Sequence, residues 1–393
     1  MSDSRAAEPL SEALPLKPLA GLFLRLGLTA FGGPAAHIAM MEEEVVRRRR
    51  WMEPAAFLDL LGLCNLLPGP NSTELAMAIG RAQAGWRGLL LAGLCFILPA
   101  ASLTLALAAV YVHYGRLPAA QGFLLGLKPV VLAIVAQAVW NLGRSALRAR
   151  RNVILGLAVL AASLAGIQEA LLILGAGAIS LLLARPRLPQ ASLGAIALPS
   201  LTATFGQSFS PFSQTFPHPF SLTGLFWVFL KVGATLFGSG YVLVAFLRTD
   251  LVHRLGWLTE TQLLDAVAVG QVTPGPVFTT ATFIGYLLGS WRGALVATTA
   301  IFLPAFLLVG LGSLLLPRIR TSPALSAFMD GVNAAAVGLM ATALWDLGRA
   351  TLASPWTLLM GLLAAWLLIR RRVNATWVLL GGGLAGYLLH LGA

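Results

Sequence analysis

Two Pro-Gly-Pro tripeptides are the residues of this chain best suited to bind an anion. They lie at residues 68–70 and 274–276, each within an otherwise apolar segment. Because proline lacks a backbone donor and clashes with the preceding turn, each tripeptide predicts a break between two half-helices. The half-helix that begins after a break has free backbone N–H groups and a partial positive charge, which favour an oxyanion.

Polar side chains recur at matched positions around the two breaks. Asn65 lies three residues before the first tripeptide, as Gln271 lies three residues before the second, and both amides could donate to an oxyanion. The predicted substrate-binding residues at the breaks are Asn65, Pro68, Gly69, Pro70, Asn71, Ser72, Thr73, Gln271, Thr273, Pro274, Gly275, Pro276 and Thr279. Helix capping is an alternative role for the Asn, Ser and Thr residues, and it is compatible with binding.

Lys128 is the best candidate for a cation in such a site. It lies in the apolar segment 119–144. At about 1.5 Å per residue it is roughly 13 Å from the start of that segment, near the middle of an apolar core of about 30 Å. Its counterpart in the second half is Asn333, so the site would carry charge on one side only. The alternative is a structural ion pair with an acid such as Asp59 or Glu74.

A second pair of motifs combines a cation with a glycine-rich turn. Residues 31–34 read Phe-Gly-Gly-Pro and residues 237–240 read Phe-Gly-Ser-Gly, and Arg25 and Lys231 each lie six residues before the phenylalanine. Charge inside hydrocarbon usually faces a cavity, which makes both cations candidate ligands. Snorkelling to the membrane surface is the alternative. The further predicted site residues of these turns are Gly32, Gly33, Gly238 and Ser239.

Three acids could couple such a site to protons. Asp59 and Asp265 each lie nine residues before a Pro-Gly-Pro, and Glu74 follows the first break. Acids within membrane segments can relay protons. For the two aspartates, a position at the membrane interface near a helix start is the favoured alternative.

The composition places these motifs in an integral membrane protein. Of the 393 residues, 58% are apolar and only 11% are charged, against roughly 25% charged in ordinary globular domains. The net charge of +12 does not indicate nucleic-acid binding, because most Lys and Arg residues lie at the ends of apolar segments, where they anchor helices. Cys64 and Cys95 lie within apolar segments, and neither a disulfide framework, a metal site nor a cofactor is predicted.

The apolar segments predict an all-α fold. They lie at 18–41, 55–80, 87–113, 119–144, 152–184, 222–247, 261–287, 292–316, 325–349, 353–370 and 373–391. A membrane span needs about 20 residues. The segment 152–184 is therefore predicted to be a helical hairpin that turns at residues 166–169. Residues 186–221, which are rich in Pro, Ser, Thr and Phe, are predicted to be a linker.

The order of the landmarks repeats after about 206 residues. Phe31 precedes Pro68 by 37 residues, and Phe237 precedes Pro274 by the same distance. Two homologous halves, 1–185 and 222–393, are predicted, each with a re-entrant hairpin broken at Pro-Gly-Pro. A duplicated apolar chain with such breaks is typical of secondary transporters.

Clusters of Lys and Arg predict how the halves are oriented. In the first half they lie at residues 47–50 and 144–151, and in the second the richest cluster is 370–372. Loops that are rich in Lys and Arg in one half correspond to loops that are poor in them in the other half. If the rich loops are cytoplasmic, the second half is inserted upside down, as an inverted repeat with an odd number of crossings in each half.

These motifs together resemble the chromate ion transporter family in its long, two-domain form. The resemblance covers nearly the whole chain, and in the second copy Ser239 and Gly240 replace the second Gly and the Pro of the first motif. It implies a multi-pass protein of the bacterial inner membrane that exports chromate and confers chromate resistance. Sulfate, an isosteric dianion, is the alternative substrate, and a homodimer is left open.

The sequence thus predicts a secondary transporter in the lipid bilayer that moves a tetrahedral oxyanion. An inside-negative potential favours export by about 2.3 kcal/mol per charge per 100 mV. The chain has no Gly-rich nucleotide-binding motif. The alternatives are an oxyanion importer, an intramembrane enzyme and a scaffold protein. An enzyme is disfavoured because the five histidines are scattered.

Overall fold

The protein is described by a computed structural model, in which helices are joined by short turns. The described residues are 15–31, 33–115, 117–167, 169–184, 219–237, 242–319, 323–352 and 354–391, and these contain no β-strand. Most of the predicted linker 186–221 lies outside them, as do the predicted site residues Gly32, Gly238 and Ser239.

The first half differs from its predicted segments mainly at its first helix. Its helices are α1 Leu16–Thr29, α2 Gly33–Glu42, α3 Pro54–Cys64, α4 Asn71–Tyr114, α5 Pro118–Ala146, α6 Arg150–Leu164 and α7 Glu169–Ala184. The predicted segment 18–41 is divided between α1 and α2, because Gly33 has a φ of 78°, which side chains rarely adopt. The hairpin predicted at 152–184 is present as α6 and α7.

The second half repeats this order. Its helices are α8 Leu222–Thr235, α9 Leu243–Leu247, α10 Glu260–Val272, α11 Thr280–Ile319, α12 Pro323–Thr351, α13 Pro355–Ile369 and α14 Ala375–Leu391. The π-helical segments Glu43–Arg48 and Arg248–Arg254 extend α2 and α9, and the 3₁₀ turn Val277–Thr279 precedes α11. The segment 222–247, like 18–41, is divided, here between α8 and α9.

The long helices α4 and α11 each fold back on themselves. Their backbone leaves helical geometry at residues 84–85 and 289–290. Gly80 and Gly88 then face each other so closely that a Cβ on either residue would overlap the carbonyl oxygen of the other, and the matching glycines of α11 repeat this contact. Each long helix is therefore a short first segment packed against a long second segment.

The first segment of α4 also packs beside α3. Gln83 Nε2, near the end of that segment, donates to the carbonyl oxygen of Trp51, just before α3, at 3.0 Å. The chain thus runs along α3 to the break at 68–70 and returns along α4 to the level from which it started.

The two halves interlock through the fifth helix of each half, α5 and α12. Helix α5 packs against α13 and α14 of the second half, and α12 packs against α6 and α7 of the first. Glycines bring the backbones together at both crossings. A Cβ on Gly126 would overlap the carbonyl oxygen of Gly382, and one on Gly331 would overlap that of Ala176.

Within the described residues, four helical stretches of α4, α5, α11 and α12 are long and apolar enough to cross a membrane: Asn71–Tyr114, Ala120–Ala146, Val277–Gly312 and Pro323–Arg349. Large apolar side chains on them, such as Leu98 and Leu307, are more than half exposed. Hydrocarbon chains of a bilayer would cover such surfaces, so the chain is a multi-pass membrane protein.

Candidate functional site

Each Pro-Gly-Pro break contacts the end of a helix in the other half. The N–H of Gly69 donates to the carbonyl oxygen of Leu236, at the end of α8, at 2.8 Å. The N–H of Gly275 donates to the carbonyl oxygen of Ala30, at the end of α1, at 2.9 Å. Each Pro-Gly-Pro therefore caps the broken helix of the other half. The two glycines have φ values of 144° and 82°, a backbone region that favours glycine.

The first break carries a histidine that sequence reasoning did not assign to the site. His37 Nε2 lies 3.0 Å from the carbonyl oxygen of Ala30, and Nδ1 lies 3.2 Å from Ser72 Oγ. The imidazole is buried and joins the end of α1 to the start of α4. The only signal in the sequence is a lone histidine close behind the Phe-Gly-Gly-Pro turn.

Two buried groups at the first break have no hydrogen-bond partner among the described residues. Thr73 and Glu74 are both fully buried in the first turn of α4. Thr73 Oγ1 and both carboxyl oxygens of Glu74 are unpartnered. The Glu74 carboxyl lies over Gly69, in the space that a Cβ on that glycine would need.

The two matched amides differ in their surroundings. Asn65 is exposed at the end of α3 and accepts a hydrogen bond from Asn71 Nδ2 at 2.8 Å. Gln271 is only 7% exposed. The predicted amide ligands are therefore not equivalent in the two halves.

The second break is surrounded by hydroxyl groups. Thr104 Oγ1 lies 3.3 Å from Thr279 Oγ1 and 3.5 Å from Thr273 Oγ1. Thr279 Oγ1 also donates to the carbonyl oxygen of Pro276 at 2.8 Å. All three threonines are buried. Thr104 belongs to α4, so the first half contributes to the second break.

Lys128 pairs with an acid of the opposite half. Its Nζ lies 3.8 Å from Asp265 Oδ1 on α10, and Tyr111 Oη donates to Asp265 Oδ2 at 2.9 Å. The side chains of Lys128 and Asp265 are 15% and 3% exposed. The ion pair given as the alternative role of Lys128 is therefore present, but its acid is Asp265 and not Asp59 or Glu74, because α5 packs against α10 of the other half.

A cavity of about 550 Å³ opens beside this pair. Its volume is typical of small-molecule sites. The cavity reaches the end of α4 at Gly115 and the start of α10 at Thr261. The polar side chains that line it are Tyr111, Gln121, Lys128, Thr261, Gln262 and Asp265.

The matched positions of the other half lack this pair. Asn333 replaces Lys128, and Asp59, the counterpart of Asp265, is half-buried on α3. Among the described residues, no group of three His, Cys, Asp or Glu side chains is placed to hold a metal ion.

Arg25 and Lys231 form ion pairs at matched positions. Arg25 Nη2 lies 2.6 Å from Glu44 Oε1, and Lys231 Nζ pairs with Asp250 Oδ2. Each acid lies in the π-helical segment that follows its cation, and the acids are 206 residues apart, as the cations are. Neither cation lines the cavity beside Lys128.

Comparison with known proteins gives a consistent result. The protein-family model described as Chromate transporter matches residues 18–181 and 223–387. A probable chromate transport protein of Synechococcus elongatus is 35% identical over 93% of this chain and 92% of its own length. Chromate transport proteins of Cupriavidus metallidurans and Pseudomonas aeruginosa are 34% and 33% identical, each over 88% of this chain and 86% of its own length. No solved structure gave a significant match.

Proposed function

The chain belongs to the chromate transporter family, and from this membership we propose that it is a secondary transporter that exports chromate across the bacterial inner membrane and confers chromate resistance. The observation that carries the proposal is the Lys128–Asp265 pair in a cavity between the halves. An intramembrane ionisable pair facing a cavity marks an ion pathway.

We also propose that the halves are inverted repeats, 1–185 and 222–393, joined by the linker 186–221. The two segments matched by the family model support these bounds. Helix directions support the inversion. Gly361 lies near Pro129, and Gln137 Nε2 donates to the carbonyl oxygen of Leu368 at 2.8 Å, so α13 runs parallel to α5.

This direction brings the two richest arginine clusters to one face. The clusters 144–151 and 370–372 follow the ends of the parallel helices α5 and α13. Arg151 Nη2 also pairs with Asp330 Oδ2 at 3.1 Å, which brings the starts of α6 and α12 to that face. By the positive-inside rule this face is cytoplasmic.

The re-entrant hairpin of the first half has matching support. Helix α3 has 11 residues, which at about 1.5 Å each reach roughly half of a 30 Å core. The chain then returns along α4, where Gln83 bonds to Trp51. Irregular backbone at mid-membrane is tolerated only where it is buried in protein or lines a cavity. Gly69 and Pro70 are buried.

In the proposed mechanism, Lys128 attracts the anion. When no anion is bound, the carboxylate of Asp265 pairs with Lys128 instead. Chromate would displace the carboxylate from the ammonium group, while Tyr111 keeps its hydrogen bond to Asp265. The helix starts behind the breaks, together with Thr73, Thr279 and Gln271, would supply further donors. Because the cavity lies at the face opposite the arginine clusters, it is the exit side of an exporter.

The membrane potential favours this export. Moving a dianion by itself out of an inside-negative cell gains about 4.6 kcal/mol per 100 mV, twice the value for a single charge.

Uptake of radiolabelled chromate into inverted membrane vesicles tests the proposal. We expect accumulation that requires an inside-positive potential and exceeds that of vesicles lacking the protein. Unlabelled sulfate in excess measures selectivity among tetrahedral dianions. Uptake confined to right-side-out vesicles would contradict export, and no uptake in either orientation would contradict chromate as the substrate.

A further inference from the structure

Glu74 is an acid that the proposed pathway through Lys128 does not use. It lies in the first turn of α4, directly behind the first break, and its side chain is fully buried. Neither carboxyl oxygen has a hydrogen-bond partner among the described residues. An ionised carboxylate without a partner in such a place costs several kcal/mol, so the buried side chain is a carboxylic acid that holds its proton.

The neighbours of Glu74 offer no compensating charge. On α3, the buried Cys64 thiol carries no positive charge. From α2, His37 is engaged with Ser72 and with the end of α1. Ala305 of α11 faces Gly69, which the carboxyl covers. No described cation forms a salt bridge with Glu74, so its proton is what balances its charge.

The second half shows that the backbone break does not need this acid. The matched residue is Thr280, which is buried and donates to the carbonyl oxygen of Val277 at 2.8 Å. Both breaks nevertheless make the same cross-half bond, from Gly69 to Leu236 and from Gly275 to Ala30. The acid therefore has a role other than holding the break.

We propose that Glu74 is a proton-binding site of the transport cycle and that its proton crosses the membrane in the same direction as the oxyanion. This inference rests on the proposed oxyanion transport. An ionised Glu74 would lie beside the free N–H groups at the start of α4, where it would repel an oxyanion and compete for its donors. The protonated acid leaves those donors, and Thr73 Oγ1, to the anion.

The cycle balances with one proton per anion. Glu74 takes a proton from water when the break opens on the cytoplasmic face, and the oxyanion binds beside the neutral acid. The break closes, as in this structure, and opens on the opposite face. There the anion leaves, and Glu74 returns its proton to water as its carboxylate becomes hydrated.

The test uses the full-length purified protein in proteoliposomes, with the membrane potential clamped at zero. Radiolabelled chromate is added outside, over a pH range in which it stays a dianion, and a trapped pH-sensitive dye reports proton entry. An outside-acid gradient of about one pH unit should raise the accumulation of chromate about tenfold, the factor for one co-transported proton. The dye should report acidification of the interior that depends on chromate.

Glu74→Gln should keep chromate exchange but lose the tenfold effect of the gradient. Glu74→Thr, which copies the residue of the second half, should do the same and guards against misfolding of the first variant. Glu53→Gln changes an exposed acid before α3 and should behave as the wild type does.

The outcomes separate this inference from the proposed function. Chromate flux that ignores the gradient, responds to it in the opposite sense, or keeps its response in both Glu74 variants would overturn the proton site and leave transport intact. If the wild type moves no chromate, the proposed function fails, and infrared spectroscopy decides on Glu74. A protonated-carboxyl band that Glu74→Gln removes supports the site, and a spectrum without that band contradicts it.

Discussion

The two Pro-Gly-Pro breaks share their backbone and differ in their side chains. Both glycines donate to the end of the other half's broken helix, and both halves keep a cation–acid pair at matched positions. The first break, however, has the unpartnered acid Glu74 where the second has Thr280. Lys128 likewise has no charged counterpart at Asn333. We infer that the contacts found in both halves stabilise the fold. We assign the transport chemistry to the groups found in one half only.

The largest expected effect comes from making the halves alike at Lys128. Lys128→Asn copies the second half and should lower the initial rate of chromate uptake more than about thirtyfold. That factor corresponds to about 2 kcal/mol, the low end for losing one partner of a buried charged contact. Asn333→Ala is the matched control and should stay within about twofold of the wild type. Equal losses of uptake in the two variants would contradict an anion site that lies in one half only.

Lys128→Asn also leaves Asp265 buried without its cation, which should destabilise the fold by about 3 kcal/mol. Adding Asp265→Asn removes that unpaired charge and should recover most of the stability but not the transport. Unfolding titrations in mixed micelles measure the first quantity, and vesicle uptake measures the second. Recovery of both stability and uptake would show that Lys128 only neutralises Asp265 and does not bind the anion.

The glycines that join the two halves at the breaks should matter for stability in both halves. Gly69→Ala and Gly275→Ala each place a side chain at positive φ, which should cost about 1–3 kcal/mol. Gly275→Ala should cost more, because its Cβ would lie 2.6 Å from the Cβ of Ala100. The added methyl at Gly69 meets the flexible Glu74 side chain instead. If unfolding titrations show little change in the free energy of unfolding for either variant, the two breaks do not stabilise the fold in this way.

The matched ion pairs should respond unequally. Lys231→Ala leaves Asp250, 3% exposed, with Arg254 as its remaining partner and should cost about 3 kcal/mol. Arg25→Ala should cost less than about 1 kcal/mol, because Arg25 is 49% exposed and Glu44 keeps two other arginines. The role of both cations as anion ligands stays a prediction. A charge swap of Arg25 with Glu44 that restores stability but not uptake would support it.

The smallest effects concern the matched threonines. Thr279→Ala removes hydrogen bonds to Pro276 and Thr104 and should cost about 1 kcal/mol of stability. Thr73→Ala removes a hydroxyl that has no hydrogen-bond partner in the part of the chain that the structure describes and should leave stability nearly unchanged. If Thr73 binds the anion, this variant weakens chromate binding all the same. Equal stability losses in the two variants would contradict the difference between the breaks.

Local features of the fold could be predicted from the sequence, because they follow from short-range constraints. The breaks at 68–70 and 274–276 follow from proline, and the hairpin of α6 and α7 follows from the length of an apolar segment that exceeds one span. The matched spacing also identified Arg25 and Lys231 as counterparts, although not their partners Glu44 and Asp250.

Contacts between the halves could not be predicted, because they depend on how the helices cross. Spacing along the chain suggested Asp59 or Glu74 as the partner of Lys128, whereas packing of α5 on α10 makes it Asp265. The turn within α4 at residues 84–85 lies between the predicted segments 55–80 and 87–113, so the boundary was predicted, but the close packing of Gly80 on Gly88 across it was not. His37 of α2 went unassigned because its partners lie on other elements, at the end of α1 and the start of α4.

Binding of radiolabelled chromate to the purified protein tests the central claim most directly, since it requires neither a vesicle orientation nor a driving force. Equilibrium dialysis should give saturable binding to the wild type and to Asn333→Ala, and no saturable binding to the stable double variant Lys128→Asn/Asp265→Asn. Binding by the double variant with wild-type affinity would contradict an anion site at Lys128.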